Sequence, residues 1–409
     1  MKIGILFDGP EIPPKGGVGY RFYYLSHFLA KKGIEIVGFM SDRNTCTVNQ
    51  LKKEPFKTHL FSPRTFYKDT DFVLDVIRKE NVDLIQVNNS QTALLLGAKY
   101  SQALGIPLVT EMHDVDSTLK MTLNAKKEKT DELEFVQYCA GKLSQEVVCM
   151  TELDKEELIN LGINKTKINL IPNGIDIEYF HYTTPNLTSG QAVFLGNMFY
   201  RPNRNAAKVL ITKVIPKTKL KLVCIGMVEE KFKEKYACER VMFTGPVDDI
   251  RPILKKSSIA IAPIFQGSGM KVKILNFAAA GLPTITTSLG ISGYPSEVAI
   301  VENDVNKYPK IIEEVMSSVD ATINRTKNSR EIIEKYFSWE PISDKVIEMY
   351  KKILKNNLCF TGQGFDHSDT MGWKHYSLAY QRKTPLPIWL EESRTKYGKE
   401  RFKYIDIIK

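Results

Sequence analysis

Short apolar runs alternate with longer segments of helical period along this chain, and no other feature restricts its fold as strongly. A run such as Ile-Gly-Ile-Leu-Phe after Lys2 has no polar face, so as a strand it must be covered on both sides. Parallel sheets with helices packed on each face provide that cover. The runs predict strands at 2–7, 34–40, 84–87, 107–111, 146–150 and 167–171, with amphipathic helices at 20–32 and 70–80. A second set of strands follows at 191–195, 221–225, 241–244, 259–263 and 284–287, with helical period into the 300s and over 339–355. Between the sets, Pro172-Asn-Gly-Ile-Asp176 supplies a tight turn and a polar stretch near 181–190 follows, which is the expected hinge. The expectation is an α/β protein with a first domain over 1–182 completed by a returning helix at 339–357, a second over 183–338, and an extension over 358–409.

With 409 residues, 43% of them hydrophobic, the chain can bury two real cores, which excludes disordered, collagen-like and disulfide-stapled classes. No window approaches 18 consecutive apolar residues, and the opening run is too short for a secretion signal. Cys46, Cys139, Cys149, Cys224, Cys238 and Cys359 are scattered, with no Cys-x-x-Cys pair and no histidine at metal-ligand spacing. A reducing cytoplasm is therefore expected, with peripheral attachment at the inner face of the membrane left open. The formal net charge is +10, but residues 1–182 carry 22 basic and 24 acidic side chains, whereas 183–357 carry 26 and 17. An anionic ligand is thus expected in the second half; no nucleic-acid recognition module accompanies the charge.

The richest stretch runs from 259 to 287: strand, Phe-Gln-Gly267-Ser268-Gly269-Met-Lys271-Val-Lys273 loop, helix, Gly-Leu-Pro stop, strand. Gly267 and Gly269 let the backbone approach a ligand, the helix start offers unpaired N–H groups, and Lys271 and Lys273 add two cations. That combination suits a phosphate or diphosphate; an ordinary strand-to-helix turn with solvated lysines is the competing reading. A second turn, Gly196-Asn197-Met-Phe-Tyr-Arg201-Pro-Asn-Arg204, places two arginines near the carboxyl end of another strand. Lys15-Gly16-Gly17-Val18-Gly19 forms a third loop where a ligand can come close. Asp114-Val-Asp116 has the form of a metal-bridging pair, but so short a pattern arises readily by chance and the phosphate motifs lie in the other half. No metal is expected.

The order and wording of 192–203, Phe243-Thr-Gly-Pro-Val-Asp-Asp-Ile-Arg-Pro252 and 267–283 resemble the retaining glycosyltransferases of family 4. The Gly-Gly-Val-Gly loop, Glu111-Met-His113-Asp114 and Ile171-Pro-Asn-Gly-Ile-Asp176 match that family in the same order. The resemblance spans about residues 1–357 and implies a GT-B architecture of two Rossmann-like domains with parallel sheets facing across a cleft. It implies that Gly196, Lys271 and Lys273 hold a donor diphosphate, that His113 stands near the reacting sugar, and that Gly16 and Gly17 lie against the donor phosphate. No cofactor is implied beyond a nucleoside diphosphate sugar as co-substrate.

Two family glutamates spaced eight positions apart are replaced here by Ser268 and Asn276, and an arginine often found after the Gly196 position is Asn197, with Arg201 or Arg204 as substitutes. Asn276 can hydrogen-bond a hydroxyl but cannot ionise, and Ser268 lacks a glutamate's reach. The expected function is transfer of a sugar to a hydroxyl of a glycan, lipid-linked or protein-linked acceptor; the alternative is a degenerate scaffold or partner subunit. Trp373, Tyr376, Tyr380 and Trp389 in the extension, with basic neighbours, suit a packed segment, a cleft cover, a protein partner or a membrane surface.

Overall fold

The computed structural model describes residues 1–9, 12, 14, 17–43, 48–115, 127–356 and 404–407. The chain divides into two compact units: Met1–Ile171 with Ser343–Lys409, and Pro172–Ile342. Each is α/β and built on one sheet.

In the first unit the strands are β1 (Lys2–Asp8), β2 (Glu35–Ser41), β3 (Lys57–Phe61), β4 (Leu84–Val87), β5 (Leu108–Glu111), β6 (Glu146–Cys149) and β7 (Ile168–Leu170). They lie in the order β3-β2-β1-β4-β5-β6-β7, all parallel, and Tyr404–Ile407 adds an antiparallel strand beside β3. Five consecutive residues of β1 are buried, as the unbroken apolar run requires of a strand covered on both faces. The longer helices of this unit include α1 (Gly17–Lys31), α2 (Thr70–Glu80) and α3 (Lys127–Leu143). Asp71 in its first turn, Arg78 and Lys79 in its last and Asn81 in the left-handed region just beyond it bound α2. Val73, Val76 and Ile77 on its inner face pack into the core with Leu6, Phe39, Ile85 and Leu108.

The second unit holds β8 (Gln191–Leu195), β9 (Lys221–Ile225), β10 (Val241–Gly245), β11 (Ile259–Ala262), β12 (Thr284–Thr286) and β13 (Ile300–Val301). Its sheet is parallel throughout in the order β10-β9-β8-β11-β12-β13. Both sheets reverse direction of growth beside their first strand, between β1 and β4 and between β8 and β11. That topological switch opens a crevice at the carboxyl ends of the strands, where ligands of doubly wound sheets bind. Its helices include α4 (Arg201–Val209), started by Pro202, α5 (Val272–Ala279) and α6 (Val319–Phe337); α7 (Trp339–Lys355) starts in this unit and from Ser343 onward belongs to the first. Among the described residues no helix is long and apolar enough to cross a membrane.

The segment after Pro172 is fixed to the second unit. Ile175 N–H donates to Phe337 O at 2.8 Å, and Gly174 lies so close to the buried Trp339 ring that a Cβ would stand 2.5 Å from it. Arg330 of α6 donates to the carbonyls of Phe180, Ile177 (3.2 Å) and Ala279 (2.7 Å). Ala279 ends α5, so the guanidinium satisfies a helix-end carbonyl and sits at the negative end of the dipole whose positive end opens at Lys271. Arg330→Met should strip all three carbonyls of their donor and lower the unfolding free energy by roughly 2–4 kcal/mol in urea titrations. Unchanged stability would mean that the clamp is dispensable.

Candidate functional site

In the second unit, β8 ends at Leu195 and the chain turns at Gly196, whose N–H donates to Ile225 O at 2.9 Å. A Cβ at Gly196 would stand 2.8 Å from the Asn203 side chain and 2.9 Å from Lys273 Nζ. Glycine is required because the lysine head occupies the space a side chain would take. Gly226, at the end of β9, has φ of +124° and packs directly against the Gly196 carbonyl, so this corner admits no bulk from either strand.

Lys273 is part-buried, and its ammonium is enclosed: it donates to Asn203 Oδ1 at 2.7 Å and lies 4.8 Å from the centre of the Phe194 ring. Burial, reinforced by the charge of Lys271, lowers its pKa from 10.5 to about 7. Lys271 is used differently. Its ammonium donates to the Ser268 carbonyl at 2.6 Å and the Gly269 carbonyl at 2.7 Å, closing the loop on itself, while Tyr294 donates to the Lys271 carbonyl at 3.0 Å. Gly267 (φ +121°) and Gly269 (φ +66°) supply the left-handed backbone this tight closure needs. The loop leads into α5, whose first turn carries no acidic side chain to neutralise its free N–H groups.

Gly196, Gly267, Ser268, Gly269, Lys271 and Lys273 therefore meet around the carboxyl ends of β8 and β11, and Asn276 follows on α5. Asn197 accepts the Phe199 N–H at 3.0 Å and shapes the turn rather than aiming a charge. Arg201 begins α4 and is exposed; Arg204 faces Glu229 at 3.6 Å, so part of its charge is already matched. Asn203 escaped the sequence reading although it bridges Lys273 to the Asn197 carbonyl (3.0 Å); its one signal was a polar side chain just after Pro202 at a helix start. Asn173 escaped it too. Its N–H donates to Met270 Sδ at 3.2 Å beside the glycine loop, and its buried Oδ1 has no hydrogen-bond partner among the described residues.

His113 belongs to the first unit, two residues past β5. Its Nε2 faces Glu111 Oε2 at 3.6 Å, and Glu111 Oε1 accepts from Arg21 Nε (3.1 Å) and Nη2 (2.9 Å). Burial pushes the Glu111 carboxyl up, but the charges of Arg21 and His113 and the Arg21 hydrogen bonds together outweigh it, and the net direction is down. Burial lowers the His113 pKa to about 4 against the pull of Glu111, with Arg21 adding to the drop. Leaving a buried polar atom unpaired costs about 1–3 kcal/mol, and both Glu111 Oε2 and His113 Nε2 lack a hydrogen bond among the described residues. Gly17 begins α1 and is exposed; Gly16 and Asp116 lie outside the described residues, as do Trp373, Tyr376, Tyr380 and Trp389. Among the described residues no three metal-ligating side chains gather.

Residues 15–179 match the family model described as Glycosyltransferase Family 4, and residues 190–318 match Glycosyl transferases group 1. A curated relative, the UDP-Gal:alpha-D-GlcNAc-diphosphoundecaprenol alpha-1,3-galactosyltransferase of Escherichia coli, is 25% identical over 317 residues, covering 69% of this chain and 78% of that protein. Among solved structures, HepE of Anabaena in complex with UDP superposes with a TM-score of 0.68 at 15% identity, covering 86% of this chain and all of that one. Sucrose-phosphate synthase of Thermosynechococcus elongatus gives 0.69 at 15% identity, covering 87% and 100%. These likenesses place the two parallel-sheet Rossmann-like units among GT-B folds.

The buried ammonium has a consequence for the unliganded protein. Unfolding restores the ordinary Lys273 pKa, so the penalty for its charge is full below about pH 7 and fades as pH rises from there towards 10.5. Lys273→Met should therefore unfold at higher urea than the wild type at pH 6, with the gap narrowing towards pH 10. A gap independent of pH would show that Lys273 carries no such penalty.

Proposed function

Given that the chain belongs to the family 4, group 1 glycosyltransferases, we propose that it is a retaining hexosyltransferase that moves a sugar from a nucleoside diphosphate sugar to an acceptor hydroxyl. The observation that carries this reading is the enclosed Lys273 beneath Gly196, beside the Gly267–Gly269 loop that Lys271 closes, at the mouth of a switch-point crevice. HepE is solved with UDP and with UDP-glucose, and the name of the bacterial relative specifies a UDP-galactose donor and a diphosphoundecaprenol-linked acceptor. Both support a UDP-hexose donor, and the second favours a lipid-linked glycan over a free glycan or a protein. We place the reaction in the cytoplasm or at the inner face of a membrane.

In the retaining step the bond from the anomeric carbon to the leaving phosphate oxygen breaks while the acceptor oxygen bonds to the same face. The acceptor proton passes to the departing diphosphate. The protein has no base to supply; it must stabilise charge gathering on the leaving group and hold both reactants in place. Lys273, the α5 amino terminus and the backbone of the Lys271-closed loop do the first. His113 and Asn276 orient hydroxyls of the donor. With two cations present no divalent metal is required, and activity should survive EDTA; a loss restored by Mg²⁺ or Mn²⁺ would revive the Asp114/Asp116 reading.

Ser268 and Asn276, in place of the family glutamates, favour a second reading as a non-catalytic partner subunit that keeps the fold and binds without turnover. Incubating the purified chain with a panel of nucleotide sugars separates the two: slow hydrolysis of one donor, with anomeric retention on transfer, is expected of the enzyme. Retained nucleotide binding with neither hydrolysis nor transfer marks the scaffold. For the site itself, the double variant Lys271→Ala, Lys273→Ala should weaken UDP or GDP binding by about tenfold to a hundredfold in titration calorimetry. Unchanged affinity for both nucleotides would remove the assignment.

A further inference from the structure

Arg21 of α1 and Glu111 of β5 form an ion pair buried to about 1% exposure in the interior of the first unit. Arg21 Nε and Nη2 both address one carboxylate oxygen, Oε1; among the described residues Oε2 has no hydrogen-bond donor, and it faces the imidazole nitrogen His113 Nε2. Tyr350 of α7 donates to Gln86 Oε1 of β4 and lies within electrostatic range of both Arg21 and Glu111. On the His113 loop, the Asp114 carbonyl accepts from Gln137 Nε2 of α3 at 3.2 Å, holding the backbone beyond the ring.

We infer that Arg21 and Glu111 are positioning residues that hold His113 as its Nε2–H tautomer, so that Nδ1 presents a fixed hydrogen-bond acceptor to a hydroxyl of the bound sugar. The step from contact to tautomer is chemical. An ionised carboxylate only accepts, so the nitrogen facing it must carry the proton, and a neutral imidazole then bears its lone pair on the other nitrogen. At 3.6 Å the pair stands just outside hydrogen-bond range, and a shift of a few tenths of an ångström satisfies two buried atoms at once. Arg21 supports this arrangement because its charge and hydrogen bonds pull the Glu111 carboxyl down against burial; a protonated Glu111 could donate to His113 and reverse the tautomer. Burial and the nearby guanidinium also keep the ring itself uncharged, so its acceptor persists through neutral pH.

This inference rests on the reading of His113 as a contact of the donor sugar, but its primary test does not. Nitrogen-15 shifts and long-range proton couplings of the histidine rings in the full chain, with His113 assigned by His113→Gln, report the tautomer directly. A single Nε2–H form, unchanged from about pH 5 to about pH 8, is expected. An Nδ1–H form, or a ring that protonates inside that range, overturns the inference whether or not the protein transfers sugar. Arg21→Met combined with Glu111→Gln removes both charges together and leaves no lone buried ion. It should lose the single tautomer and lower kcat about a hundredfold with little change in donor KM, while circular dichroism stays that of the wild type. A folded double variant with an intact tautomer or an intact kcat also overturns it. A wild type with the expected tautomer and no transfer would instead count against the proposed function alone.

Discussion

A strand covered on both faces can present polar chemistry only where the cover ends. Residues 3–7 of β1 and 192–194 of β8 are buried without interruption, so the first places for reactive groups are their carboxyl termini and the turns that follow. Both sheets change direction of growth beside these strands, which opens those turns. The position of each site therefore follows from how the apolar runs must be buried, and individual side chains then decide what it binds.

Two lysines that look equivalent in the sequence have different physical roles. Lys271 gives its ammonium to two carbonyls of its own loop and so sets the loop's shape. Lys273 has one amide oxygen and one aromatic face for company. Contacts of that kind contribute on the order of 1–3 kcal/mol each, which falls short of restoring what the ammonium loses on leaving water, as its lowered pKa records. On the proposed reading an incoming diphosphate would supply the missing counter-charge, and its binding would draw a proton onto Lys273 near neutral pH. The unliganded protein thus holds a cation in a state that an anion relieves.

Much of the framework was legible because unbroken apolar runs leave little choice: β1, β4, β8, β9 and β11 stand close to where periodicity puts them. β3 was not. Its Lys57-Thr-His-Leu-Phe61 reads as polar, yet Lys57 and His59 both bond Glu80 Oε1, at 2.6 and 2.8 Å, and Lys2 bonds the other oxygen. Burial raises the Glu80 pKa, and these three donors outweigh it to bring the carboxyl to about 2. Tertiary pairing makes that strand, and no local pattern announces it. β13 has two residues and no period to detect. In the sites, glycines and lysines clustered in sequence were visible, whereas Arg21 and Glu111 stand ninety positions apart and become a pair only when α1 packs on the sheet.

The missing glutamates change what the second-unit site can do by electrostatics. A carboxylate at 268 or 276 would offset part of the field of Lys271, Lys273 and the α5 amino terminus; Ser268 and Asn276 leave that field standing. In the proposed reaction a stronger field would hold the donor diphosphate more tightly before the step, and uniform tightening of this kind does not raise kcat. The leaving diphosphate, however, gains charge as the sugar bond breaks, so a fixed cation acts more strongly on the transition state than on the bound donor. The enclosed Lys273 fits that differential demand better than a solvated lysine would, because a low-dielectric setting enlarges every increment of charge it meets. On the proposed reading, a neutral amide, Asn276, takes the place of a carboxylate on α5 and can orient a hydroxyl without opposing that field.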